Sequence, residues 1–249
     1  MKTQDIAVIS VCAALYAVFG RLTAGVTFLG VGFLPAVVIP AVFAVLYGPW
    51  VGGIGGAIGI FIRDLLVHGN ALLSLTAGVP ANFILFFLIG YLAHRNMDMK
   101  KTVAASVIVA VGLLVPSLVF LPNFTAYTGL SSLEFILALL FTVILSLAVI
   151  CVVALRWTQW RSFVIASVVA QAIAAGLLSV TVWAVSPLFL SYFGKPFPIT
   201  YVLPLFVWTF ATEIPFILLV GPPIVQACYR AFPSLEQRRG RREKGAAIE

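Results

Sequence analysis

The sequence predicts an all-α, polytopic transmembrane bundle of about six to eight helices. Three observations predict this fold class: the composition, the lengths of the apolar segments and the distribution of positive charge. Of the 249 residues, 62% are hydrophobic and 9% are charged, whereas soluble domains are about 45–50% apolar and about 25% charged. Because so few polar groups cannot cover the surface of a soluble fold, the chain is predicted to be an integral membrane protein.

Eight apolar segments follow one another along the chain. None shows the alternation of polar and apolar residues that a membrane barrel strand requires, so each is interpreted as a helix. They comprise residues 6–19, 33–47, 51–67, 71–93, 103–121, 133–155, 163–190 and 201–228. A spanning helix needs about 20 residues. The first three segments are at or below this length, so some of them are expected to be tilted, partly re-entrant or sheltered by neighbouring helices.

The positive charges predict the orientation of these helices. If the helices alternate in direction, twelve of the fifteen Lys and Arg residues lie on one side, and only Arg21, Arg63 and Lys195 lie on the other. Cytoplasmic segments of membrane proteins are enriched in Lys and Arg. The chain is thus predicted to be a multi-pass cell-membrane protein with both termini in the cytoplasm. Six and eight spans satisfy this pattern equally, since both numbers are even.

The predicted domain organisation is an integral membrane domain over residues 1–229 and a basic cytoplasmic tail over residues 230–249. The tail reads RAFPSLEQRRGRREKGAAIE. It lacks the aromatic or motif support that a nucleic-acid site would show, so no nucleic-acid partner is expected. The basic residues are interpreted as an orientation signal lying near the anionic headgroups of the lipid bilayer.

Glycines are concentrated around the start of the third segment, which reads LYGPWVGGIGGAIG. The pair Gly48-Pro49 predicts a helix end and a tight turn. Gly52, Gly56 and Gly59 leave one side of the following helix nearly bare, and small residues at this spacing let helices pack closely in lipid. The segment is not a phosphate-binding loop, because no Gly-Lys-Ser/Thr follows it.

The order of three segments resembles the substrate-binding S components of energy-coupling factor (ECF) transporters. The segments are VCAALYAVFG, FLPAVVIPAVFAVLYGPWVGGIGGAIGIFIRDLL and GVPANFILFFLIGYLAHR, within residues 5–95, with a weaker match in EIPFILLVGPPIVQACYRAFP. The resemblance implies a subunit that binds a vitamin or related micronutrient from outside and hydrolyses nothing itself. It also implies two kinds of partner, a transmembrane T component and a pair of cytoplasmic ATPases.

The resemblance also implies roles for parts of the chain. An Ala-x-x-x-Ala pattern on the first helix contributes to the T-component contact in this family, and Ala13 and Ala17 fit that pattern. The alternative is that these alanines pack inside this chain. The first outer loop acts as a lid in the family, which makes Arg21 a candidate ligand-binding residue. The family core has six helices, whereas eight apolar segments occur here, with the surplus after residue 100.

A carboxylate in the last apolar segment, VWTFATEIPFILLVGPP, is the main candidate for ligand binding. A charge in the middle of a bilayer costs roughly 2.5–3.5 kcal/mol and usually faces a protein interior or a wet cavity. On a helix, Trp208, Thr209, Thr212 and Glu213 share one face, which Tyr201 extends outward. This face is predicted to form one wall of the binding site. The alternative is a neutral or hydrogen-bonded Glu213 that holds two helices together.

The fourth segment supplies a second candidate wall. Ser74, Gly78 and Asn82 follow one another at intervals of four residues and lie along one face. Ser74 and Asn82 are therefore predicted to contact the ligand, and Pro80 leaves the carbonyl of Thr76 without its usual amide partner. The alternative is close helix packing over Gly78 with hydrogen bonds beside it.

Two further polar features are interpreted as structural. Arg63 and Asp64, near the end of the third segment, are expected to pair with each other or with His68 and to anchor the helix at the outer interface. Gln171 lies in the middle of the seventh segment and is also assigned a structural role.

These patterns favour a transport function over catalysis. The chain contains no His-Glu-x-x-His or Gly-x-Ser-x-Gly pattern, so neither an enzyme nor a bound cofactor or metal is expected. The alternative to an ECF subunit is a self-contained, proton-coupled secondary transporter of a small polar metabolite, in which Glu213 titrates. The sequence does not identify the ligand, because aromatic residues with one acid suit vitamins, nucleobase-like compounds and cobalamin-like molecules alike.

Overall fold

The computed structural model describes residues 3–25, 27–28, 31–95, 131–156 and 158–235, with single residues between 100 and 122. Five helical segments in this part of the chain are long and apolar enough to cross a membrane. They are Thr3–Leu22, Pro49–Val67, Ala71–Leu92, Arg161–Phe193 and Ile199–Ala231. This confirms the predicted fold class, an all-α membrane bundle.

The described elements, in chain order, are helices joined by short turns and one β-hairpin. They are α1 (Thr3–Leu22), β1 (Thr27–Phe28), β2 (Val31–Gly32), α2 (Val38–Tyr47), α3 (Pro49–Val67), α4 (Ala71–Leu92), α5 (Ser132–Leu155), α6 (Arg161–Val185), α7 (Leu190–Phe193) and α8 (Val202–Ala231). Seven of the eight predicted segments coincide with helices. The remaining segment, residues 103–121, lies outside the described residues except for single positions, and so does the tail beyond residue 235.

Local sequence explains where several of these helices begin. Gly48 separates α2 from α3 with φ 107°, a left-handed conformation that glycine adopts readily. Pro49 then occupies the first position of α3, where its missing N–H costs nothing. At the start of α5, Ser131 Oγ accepts from the Glu134 amide and Glu134 Oε2 accepts from the Ser131 amide, at 3.3 and 2.8 Å. These reciprocal bonds form a capping box.

The short helix α2 is sheltered by its neighbours, which is one of the three arrangements expected for the short apolar segments. It packs against α3, α4 and α8, and Ala41 and Ala44 are fully buried. By contrast, α1 and α3 have 20 and 19 residues, enough for about 30 Å of helix.

The glycine-rich face of α3 packs closely against three other helices, which confirms the predicted packing role. A Cβ on Gly52 would overlap Ala44 of α2, and a Cβ on Gly56 would overlap the ring of Phe86 of α4. A Cβ on Gly59 would lie 2.9 Å from the carbonyl oxygen of Ala13 in α1. The glycines therefore place α3 at the centre of this half of the bundle.

Helix α4 contains one wide turn, the π-helical segment Ser74–Gly78. In this turn the Val79 amide donates to the Ser74 carbonyl, five residues back instead of four. Pro80 has no N–H for the Thr76 carbonyl, so the regular α-helical ladder is interrupted at this point. Turns of this kind are frequent at functional sites, and this one lies beside the cavity described next.

Candidate functional site

A cavity of about 60 Å³ lies beside the β1–β2 hairpin, where α3, α4, α6 and α8 converge. Val31 and Gly32 of the hairpin form part of its wall, together with Leu34 and with apolar side chains of α3, α4, α6 and α7. Its polar lining comprises Arg63, Asp64, His68, Ser74, Asn82 and Glu213. Polar side chains from three helices thus converge on one space inside an apolar bundle, which is the usual composition of a ligand site.

The first polar group in the wall is the ion pair between Arg63 and Asp64 at the end of α3. Arg63 Nη1 donates to Asp64 Oδ1 at 2.9 Å, and Ser74 Oγ of α4 donates to Asp64 Oδ2 at 2.7 Å. His68 Nε2 lies 3.7 Å from Asp64 Oδ1. Arg63 and Asp64 are only 4% and 6% exposed. The predicted pairing is therefore confirmed, but the pair lines the cavity as well as anchoring the helix.

Glycines of two other elements make room for the Arg63 side chain. Arg63 Nε donates to the Gly20 carbonyl of α1 at 3.5 Å, and a Cβ on Gly20 would lie 3.1 Å from Arg63 Cγ. A Cβ on Gly32 would overlap Arg63 Nη2. The guanidinium group is thus enclosed by α1, α3 and the hairpin.

The second polar group joins α1 to α4. The Tyr16 hydroxyl donates to Asn82 Oδ1 at 2.7 Å, and Asn82 Nδ2 donates to the Gly78 carbonyl at 2.9 Å. Tyr16 is fully buried, and its ring meets that of Phe86 edge-to-face at 5.7 Å between centroids. Two hydrogen bonds therefore fix the orientation of the Asn82 amide in the cavity wall.

The third polar group joins α6 to α8. Gln171 Nε2 donates to Glu213 Oε2 at 2.8 Å and to the Thr209 carbonyl at 3.2 Å. Gln171 is fully buried and Glu213 is 7% exposed. Within the described part of the chain, Gln171 Oε1 and Thr209 Oγ1 have no hydrogen-bond partner. Gln171 has the predicted structural role, since it holds the carboxylate at the cavity.

Three of the predicted ligand-binding residues line the cavity: Ser74, Asn82 and Glu213. Each of them also forms a hydrogen bond, either to another helix or within its own helix. The alternative interpretations, in which these side chains hold helices together, predicted such bonds. Glu213 is bonded to α6, while Ser74 is bonded to α3. The interhelical bonds do not conflict with a binding role, because a side chain can join two helices and still face the space between them.

The other five predicted residues lie away from the cavity wall. Trp208 Nε1 donates to the Val31 carbonyl of the hairpin at 3.0 Å, and Thr212 Oγ1 donates to the Trp208 carbonyl at 2.7 Å. Tyr201 is buried and stacks on Phe197 at 4.8 Å between ring centroids. Thr209 is buried and contributes its carbonyl to Gln171, and Arg21 is exposed at the end of α1.

The sequence did not single out Tyr16, and it did not assign Arg63 and Asp64 to the candidate site. Tyr16 looks like any aromatic residue of an apolar helix, and only its bond to Asn82, 66 positions away, makes it distinctive. Arg63 and Asp64 could have been assigned to the site from the sequence, because they are charged residues inside an apolar segment. Charges within a membrane indicate a functional site by default.

Both alanines predicted to contact a partner face the interior of this chain. Ala13 is 3% exposed and Ala17 is 2% exposed, on the side of α1 that packs against α3. Ser10 and Ala14, by contrast, are exposed. The small side chains that α1 exposes are therefore Ser10 and Ala14, and not the two alanines of the Ala-x-x-x-Ala pattern.

Comparison with protein families gives a match that covers α3 and α4, two of the four helices that form the cavity. Residues 1–156 match the family described as ECF-type riboflavin transporter, S component. Comparisons with curated proteins and with solved structures found no match. The family is one of vitamin transporters and not of enzymes. Since the match covers more than half of the chain, the protein belongs to the S components of ECF-type riboflavin transporters.

Proposed function

We propose that this protein binds riboflavin from the outer side of the cell membrane, in the cavity between α3, α4, α6 and α8. A T component and a pair of cytoplasmic ATPases then power import. The observation that best supports this proposal is the meeting of three hydrogen-bonded polar groups in one cavity of an apolar bundle. Both termini, and with them the basic tail that follows α8, face the cytoplasm in this proposal.

Ligand entry requires the cavity to widen. Sites for drug-sized molecules have volumes of about 300–1,000 Å³, whereas this cavity has about 60 Å³. The hairpin that covers the cavity is short, since each of its strands has two residues. The bond from Trp208 to Val31 joins it to α8. Breaking this bond would let the hairpin move away from the cavity.

The proposal is tested by titrating riboflavin with purified protein in detergent. Flavin fluorescence should be quenched saturably at one ligand per chain. Uptake into vesicles should require the T component and both ATPases in addition. Absence of quenching by a protein that retains its helical circular-dichroism spectrum would refute riboflavin as the ligand. Uptake without the ATPases would refute the coupling.

The partner surface on α1 is proposed to centre on Ser10 and Ala14. These side chains are small and exposed, which allows a second helix to approach closely within lipid. Ala13 and Ala17 would act indirectly in this arrangement, by letting α1 lie close to α3.

Loosening the hairpin should change the kinetics of ligand exchange. In Trp208→Phe the ring remains but the indole donor to Val31 is lost. One neutral hydrogen bond contributes about 0.5–1.5 kcal/mol, so we expect riboflavin dissociation to accelerate about 2- to 10-fold in stopped-flow fluorescence. Trp50→Phe is the matched control, since Trp50 is 58% exposed on α3. Equal dissociation rates in both variants would contradict a closing role for this bond.

The substitution Glu213→Gln separates the two transport mechanisms. The amide of glutamine retains an oxygen that can accept from Gln171, so the fold should be preserved. In an ATPase-driven subunit the variant should bind riboflavin more weakly, about 10-fold or more if a charge-assisted bond to the ligand is lost, while uptake still depends on the ATPases. Ion-gradient uptake by the wild type that needs no ATPase and disappears in Glu213→Gln would instead establish a secondary transporter.

A further inference from the structure

Arg63 has one donor group without a partner. Its Nη1 donates to Asp64 and its Nε to the Gly20 carbonyl, whereas Nη2 is buried with no hydrogen-bond partner among the residues that the structure describes. Arg63 is 4% exposed and lines the cavity. Buried donors are nearly always satisfied in folded proteins. A ligand that offers an acceptor at this position would complete the site.

The charge of Arg63 is already balanced. Asp64 lies 2.9 Å from Nη1, and Glu213 adds a second carboxyl group to the same cavity. Among the lining residues that the structure describes, Arg63 is the one guanidinium or ammonium group, and two carboxyl groups share the cavity with it.

We propose that Arg63 Nη2 donates to an uncharged carbonyl oxygen of the ligand, and that the cavity selects neutral carbonyl compounds over anionic ones. This inference rests on the proposed function, since it concerns the same cavity. A carboxylate or phosphate would bring a further negative charge close to Asp64 and Glu213, whereas a carbonyl oxygen satisfies the guanidinium without adding charge. The pyrimidine ring of riboflavin carries carbonyl groups of this kind.

The first test uses the wild-type protein with two pairs of ligands that differ in charge. Riboflavin is compared with riboflavin 5′-phosphate by fluorescence quenching, and nicotinamide with nicotinate by isothermal titration calorimetry. In each pair of which at least one compound binds, we expect the neutral compound to bind at least about 10-fold more tightly than the anionic one. Equal or tighter binding of the anion would overturn the inference, and so would the absence of binding by all four compounds.

The second test uses Arg63→Lys, which keeps a positive charge for Asp64 but lacks the planar fork that serves two acceptors. Loss of a hydrogen bond from a charged donor predicts binding about 10- to 100-fold weaker for the neutral ligand. Arg95→Lys is the control, since Arg95 lies outside the cavity against the ring of Tyr91. If Arg63→Lys does not fold, the double variant Arg63→Gln/Asp64→Asn leaves no unpaired charge and should show the same loss.

The outcomes distinguish this inference from the proposed function. If the wild type binds riboflavin and the Arg63 variant binds it equally well, the inference is wrong and the proposed function stands. If the wild type ignores riboflavin but binds nicotinamide, and the Arg63 variant loses that binding, riboflavin is the wrong ligand and the inference stands.

Discussion

Replacing Asp64 with alanine is expected to destabilise the folded protein by about 3–5 kcal/mol or to prevent folding. The substitution leaves the buried Arg63 guanidinium without its counter-charge, and breaking one side of a buried ion pair costs about this much. It also removes the acceptor for Ser74 Oγ. The melting temperature in detergent, followed by tryptophan fluorescence, and the yield of monodisperse protein measure the effect.

A double-mutant cycle separates the effect of breaking the ion pair from the effect of removing the Asp64 side chain. The double variant Arg63→Gln/Asp64→Ala buries no unpaired charge, so it should recover most of the stability that Asp64→Ala loses. Ser74→Ala is the smaller control, since it removes one hydrogen bond and leaves the ion pair intact. A melting temperature of Asp64→Ala equal to that of the wild type would show that Arg63 does not depend on this carboxylate.

The substitution Gly52→Ala should separate α2 from α3. A Cβ at this position would lie 2.6 Å from Ala44 Cα and 3.0 Å from Ala44 N, and backbone atoms cannot rotate away as a side chain can. Overpacking typically costs about 1–3 kcal/mol, and we expect a loss near the upper end, about 3 kcal/mol, measured as a lower melting temperature in detergent.

Gly176→Ala in α6 is the matched control for this prediction. A Cβ on Gly176 would meet no atom within 4 Å, and alanine favours a helix by about 1 kcal/mol over glycine. We therefore expect Gly176→Ala to melt at the wild-type temperature or slightly above it. A similar melting temperature for both variants would show that the contact between Gly52 and Ala44 is not tight.

The helices were predictable because lipid leaves few alternatives for the backbone. An apolar segment in a membrane must satisfy its own amides and carbonyls, so each described segment became a helix near its predicted limits. The last helix ends at Ala231, two residues beyond the predicted domain boundary. The β-hairpin was not predicted, since strands of two residues give no recognisable alternation.

The candidate site was only partly predictable, because a helical pattern shows which side chains share a face and not what that face meets. Trp208 and Glu213 were correctly placed on one helix, but Glu213 reaches the cavity while Trp208 reaches the hairpin. Thr212 donates to a carbonyl of its own helix, as threonine often does within helices. The burial of Arg63 depends on Gly20 and Gly32, which no local pattern connects to it.

The wide turn in α4 absorbs one residue without rotating the rest of the helix. The turn Ser74–Gly78 holds one residue more than an α-helical turn, and each residue advances a regular helix by about 100°. A gene that lost one codon here would restore a regular helix and keep the residues after Val79 on their present faces, whereas a codon lost just after the turn would rotate everything beyond it. Phe86 and Ile89, both fully buried, would stay in the bundle interior in the first case and turn out of it in the second, so single-codon deletions should be tolerated better within this turn than after it.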